Sequence, residues 1–88
     1  MATVTQLLLL LDYAKNALEE HHNFNLAEVH TEEFLKKSGK YSNARGRKSL
    51  LNALDSRDSE LLLAAVDAEI ERLSVVKINE IRKKITSA

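Results

Sequence analysis

Apolar residues recur along this chain at helical rather than strand spacing. Leu7, Leu11, Ala14 and Leu18 fall three or four positions apart, so on a 3.6-residue turn they share one side. Leu8, Leu9, Leu10 and Tyr13 widen that stripe, which predicts a helix that touches more than one neighbour. Thr3-Val4-Thr5-Gln6 has the spacing of a capping box, in which hydroxyl and amide satisfy each other's orphan backbone donors. The first helix is therefore expected from Thr3 to about His21.

Asn25-Leu26-Ala27-Glu28 repeats the capping logic. It predicts a second helix from Leu26 to about Lys37, with Phe24 before the cap packing on Val29 as a hydrophobic staple. Ala27, His30 and Phe34, with Leu26 and Leu35, would form its inner face. Lys36 and Lys37 sit where the helix dipole favours cations, and Gly39 can take the left-handed cap.

A third helix is expected from Ser42 or Asn43 to about Asp55, carrying Leu50, Leu51 and Leu54. Gly46 inside it costs roughly 1 kcal/mol against alanine, so the first turn could instead be loop. Ser56 then caps a fourth helix, with Asp58 and Glu60 in its first turns. No breaker appears from Arg57 to about Ile85, a rod of roughly 40–45 Å at 1.5 Å per residue.

The pattern of that fourth helix changes face. Leu63, Val66, Ile70 and Leu73 keep a 3-4-3 spacing, and Ile78, Ile81 and Ile85 make another 3-4 series, but the step between the two series is five residues. Either the helix bends there, helped by the β-branched Val75 and Val76, or its two halves pack against different things, and the second is preferred. The expectation is that the first half packs inside the bundle and the second half meets another chain through Val76, Ile78, Ile81 and Ile85.

Together these elements predict an all-α chain: a single helical domain over residues 1–88, three shorter helices against the N-terminal half of a long fourth. At 88 residues the core is thin, which makes a partner a natural supplement. The absence of cysteine excludes disulfides, thiol nucleophiles and thiolate metal sites and suits a reducing cytoplasm. Leu7 to Leu11, the longest aliphatic run, is far short of the ~20 residues needed to span a bilayer. No basic residue precedes it and Asp12 ends it, so neither a signal peptide nor a membrane helix is expected.

Charge is balanced overall, with 13 Lys+Arg against 13 Asp+Glu, yet unevenly placed. Residues 1–35 hold six acids and one base; residues 36–48 hold Lys36, Lys37, Lys40, Arg45, Arg47 and Lys48 and no acid. That segment also carries Tyr41, Ser42 and Asn43, residue types that contact phosphates or stack on bases. Two helices joined by a short glycine turn are compatible with a helix-turn-helix, while the plainer account is a solvated loop whose lysines complement a helix end.

Candidate chemistry is sparse. Glu19 and His22, three apart, have the spacing of a carboxylate and imidazole sharing an ion, but His30 and Glu33 run in the opposite order and a di-metal bundle needs two further carboxylates. No serine lies in a nucleophile elbow, and Lys37-Ser38-Gly39-Lys40 lacks the upstream glycine and the strand of a phosphate loop. Arg82-Lys83-Lys84 ends the last helix as the dipole prefers, without the aromatic anchors of a membrane-surface strip. The expected function is a non-enzymatic regulatory or adaptor protein acting through protein–protein contacts, as a homodimer, without cofactor, metal or small-molecule substrate. The alternative is a small nucleic-acid-binding regulator using residues 36–48.

Overall fold

The computed structural model describes residues 2–86. The capping box forms as its spacing predicts: the Gln6 N–H donates to Thr3 Oγ1 at 3.2 Å and the Thr3 N–H to Gln6 Oε1 at 2.9 Å. Helix α1 then runs Val4–Glu19. It ends in a turn where His22 is left-handed, with φ 48°, and the Asn23 N–H donates to the Ala17 carbonyl at 2.9 Å.

Helix α2 spans Phe24–Lys37 and starts two residues earlier than its capping pattern suggested. Asn23, not Asn25, is the cap, its Oδ1 accepting from the Leu26 N–H at 3.0 Å. Both asparagines can cap, and a contact distant in sequence accompanies the outcome: Arg57 donates to Asn25 Oδ1 at 2.7 Å and stacks its guanidinium 4.7 Å from the Phe24 ring centroid. Phe24 is thereby the first residue of the helix, and Val29 is exposed, so the expected staple does not form. The inner face also differs. Ala27, Thr31, Phe34 and Leu35 are buried, whereas His30 is half-buried under the Tyr13 ring and Leu26 is exposed.

A 3₁₀ turn, Gly39–Tyr41, leads to α3, Ala44–Ser56, capped by Asn43 through a 2.9 Å bond from the Gly46 N–H. Helix α4, Ser59–Thr86, follows a left-handed Arg57 with φ 51°. Its cap is Asp58 and not Ser56, because one carboxylate oxygen accepts from both the Glu60 and Leu61 N–H groups, at 3.0 and 3.1 Å. Ser56 stays in α3, its hydroxyl donating to the Asn52 carbonyl.

The four helices are all-α and packed together, with α1 and α4 at the centre, α2 against α1 and α3 against α4. Val4, Leu7, Leu11, Ala14 and Leu18 from α1 meet Leu62, Val66 and Leu73 from α4, with Leu50 and Ala53 of α3 and Phe34 of α2 in the same core. Helix α1 runs antiparallel to α4: Lys15 pairs with Asp67 at 2.9 Å, while Thr3, Val4 and Thr5 lie beside Lys77, Glu80 and Ile81. Cover thus reaches into the second half of α4, further than expected. No helix among the described residues is long and apolar enough to cross a membrane.

Candidate functional site

The apolar row of α4 does not break where the sequence suggested. Leu62, Val66, Glu69, Leu73, Val76 and Glu80 follow at steps of 4-3-4-3-4 on the side facing the bundle. Val76, expected with the isoleucines, is half-buried and packs against the core, because the 3.6-residue period carries the inner row on to it. Ile78, Ile81 and Ile85 occupy a different face and are 50%, 47% and 71% exposed. Counting back at the same spacing, Ser74 joins their row, and Ser74 with Ile70, Thr5, Leu8, Leu9 and Asp12 lines a groove of about 360 Å³ between α1 and α4. Ile78, Ile81 and Ile85 therefore continue, beyond Ser74, the row that opens on that groove.

Polar positions on the inner row are tied down. Glu69 is buried, and both its oxygens accept from Arg72, at 3.2 Å from Nε and 2.5 Å from Nη2. Arg72 Nη2 also donates to the Tyr41 carbonyl at 2.8 Å, and the Tyr41 hydroxyl donates to Glu80 Oε1 at 2.6 Å. That hydrogen bond, more than burial and the Glu80 charge, raises the Tyr41 phenol above its ordinary value. The 3₁₀ turn is fastened to α4 at two points. Gly46 makes this approach of α3 and α4 feasible, since a β-carbon there would overlap the Glu69 carboxylate. The groove of about 630 Å³ between α3 and α4 has this ion pair in its wall.

The basic segment lies at the same end of the bundle. Lys36, Lys37, Lys40, Arg45, Arg47 and Lys48 are all exposed. Two are engaged locally: Lys37 pairs with Glu33 at 3.1 Å, and Arg47 donates to the Leu35 carbonyl at the end of α2 at 3.2 Å. Lys40 lies 5.2 Å over the Tyr41 ring. Tertiary structure adds two cations that linear spacing left out, since Lys77 and Lys84 of α4 share a cleft of about 450 Å³ with Lys40, Thr3, Thr5 and Tyr41. Helices α2 and α3 share little packing with each other, whereas the two helices of a helix-turn-helix form one unit.

Among the described residues, Ser38 and Ser56 donate their hydroxyls to the backbone carbonyls of Leu35 and Asn52, not to a histidine. His21 and His22 stand beyond the C-terminal end of α1, and His30 lies against Tyr13 with ring centroids 5.4 Å apart and the planes tilted by 46°. Among the described residues no group of three or more His, Asp or Glu side chains is placed to hold a metal ion. Glu19, the carboxylate of the candidate pair with His22, lies 3.9 Å from Lys15 instead.

No family model matches this chain, and no curated protein or solved structure is significantly similar to it.

Proposed function

We propose that this chain is a non-enzymatic regulatory or adaptor domain of the cytoplasm, acting through helix-mediated protein contacts, and that the C-terminal isoleucine face of α4 is its interface with a second copy. The supporting observation is that Ile78, Ile81 and Ile85 are 47–71% exposed on an otherwise regular helix. Finishing the burial of one such side chain contributes about 1 kcal/mol. Three from each subunit therefore give about 6 kcal/mol, against a rigid-body cost of association that begins at about 4 kcal/mol. The margin is thin, so neighbouring residues must add to it and the assembly depends on concentration. Equilibrium sedimentation of the full chain and of a triple variant, Ile78→Ser with Ile81→Ser and Ile85→Ser, tests it. A dimeric wild type and a monomeric variant are expected; a monomer in both refutes the reading.

A second reading, a nucleic-acid-binding regulator using the exposed basic residues of 36–48, is favoured by the convergence of Lys40, Lys77 and Lys84 on one cleft. Phosphate contacts of this kind are salt-dependent. Replacing Lys40, Lys77 and Lys84 by Gln should bring elution from heparin to markedly lower salt, and unchanged elution rejects it.

A further inference from the structure

Resting on the docking reading above, we infer that two copies pair antiparallel about a two-fold axis near Ile78, and that Ile85 of each inserts into the α1/α4 groove of the other. Three features of one chain carry this. The row Ser74, Ile78, Ile81, Ile85 is spaced 4-3-4, the seam that lets two helices interdigitate. At one end it stops on a charged pair, Lys15–Asp67 at 2.9 Å; at the other stands Ile85, its most exposed member at 71%. The groove lined by Thr5, Leu8, Leu9, Asp12, Ile70 and Ser74 opens on the same row, at the level an antiparallel partner's Ile85 would reach.

Charge selects the direction. Acidic Glu71 and Asp12 flank the groove end of the row, and basic Arg82 and Lys84 flank the Ile85 end. In an antiparallel pair the same flanks of the two helices meet, which sets Glu71 against the other copy's Arg82 and Asp12 against its Lys84. A parallel pair would bring opposite flanks together, with Glu71 at the level of the other copy's Asp12 and Arg82 at the level of its Lys84, which is repulsive. The arrangement is self-complementary, as a two-fold interface requires: each chain supplies one knob and one groove.

The chain has no cysteine, so single introduced thiols report the register cleanly. Antiparallel pairing about Ile78 puts position 71 of one copy opposite position 85 of the other, while two copies of position 71 lie about 20 Å apart at 1.5 Å per residue. Glu71→Cys and Ile85→Cys chains, and separately Ser74→Cys and Arg82→Cys chains, are oxidised alone and as equimolar mixtures, with circular dichroism confirming the fold. A mixed disulfide several-fold more abundant than either self-disulfide, in at least the Ser74/Arg82 pair that keeps every isoleucine, supports the proposal. A dimeric mass with self-disulfides predominating overturns the register and leaves the docking reading standing. A monomeric wild type overturns both. In a second measurement, Asp12→Lys should weaken the dimer at least tenfold, and mixing it with Lys84→Glu should restore association; equal weakening with no recovery overturns the groove contact.

Discussion

Gly46→Ala should destabilise this protein, against the usual sign. Replacing a glycine inside a helix by alanine gains up to about 1 kcal/mol, because alanine loses less backbone freedom on folding. Here the new β-carbon would overlap Glu69 Oε1 and lie 2.6 Å from Cδ. Glu69 is 4% exposed and both oxygens are held by Arg72, which is itself anchored to the Tyr41 carbonyl. Accommodating the methyl group therefore means pushing a carboxylate off its partner, and full disruption of a buried pair costs about 3–5 kcal/mol. Arg72 keeps 27% side-chain exposure and can follow part of the way. The net expected loss is about 1–2 kcal/mol, or a Tm lower by about 5–15 °C in a domain of this size. In a Glu69→Ala background the overlap is gone, and the same Gly46→Ala change should stabilise by about 1 kcal/mol. Thermal and urea denaturation of the four chains forms a double-mutant cycle with a coupling of about 2–3 kcal/mol. If Gly46→Ala stabilises equally in both backgrounds, Glu69 is not fixed and the account of α3–α4 contact is wrong.

Three further consequences are as direct. Thr31 is fully buried with an unpaired hydroxyl, so Thr31→Val should raise stability by about 1 kcal/mol in urea melts; a loss of that size would mean the hydroxyl has a partner. His22 is exposed and left-handed at φ 48°, so His22→Gly should gain about 0.5–1 kcal/mol despite the added freedom of the unfolded chain, and a destabilised variant would count against that backbone. In a Tyr13→Phe chain the remaining phenol, Tyr41, should ionise above its ordinary value of 10.0 because its proton is held by Glu80, and Glu80→Ala should bring it back. A folded value above the unfolded one means that this bond's contribution is complete below about pH 10 and lost as pH rises through the raised value. Lys15, raised chiefly by its hydrogen bond to Asp67, adds an alkaline loss of the same sign. Absorbance titration of Tyr41 at or below the ordinary value would contradict the Tyr41–Glu80 geometry.

Local patterns carried most of the fold. Four helices, the Thr3–Gln6 box and the Leu7–Leu18 stripe follow from spacing alone, because capping and amphipathicity are interactions between residues three or four apart. Where two local solutions were equally good, the structure made the choice: Asn23 over Asn25 with Arg57 reaching across, and Asp58 over Ser56 where α3 runs on to include Ser56. The five-residue step in α4 correctly marked two faces, but it concealed that the inner row continues through Val76 and ends on a hydrogen-bonded Glu80. A carboxylate on a core row can be read only once its partner is known, and that partner, Tyr41, is 39 residues away. The basic segment was legible as a run, whereas the cleft it shares with Lys77 and Lys84 exists only because α1 and α4 lie antiparallel and bring opposite ends of the chain together. Sequence alone thus determined that four helices form and roughly where each lies, since capping and amphipathic spacing depend on neighbours within a turn. Only the packed structure decided which apolar side stays uncovered, since that depends on how far α1 and the 3₁₀ turn extend along α4.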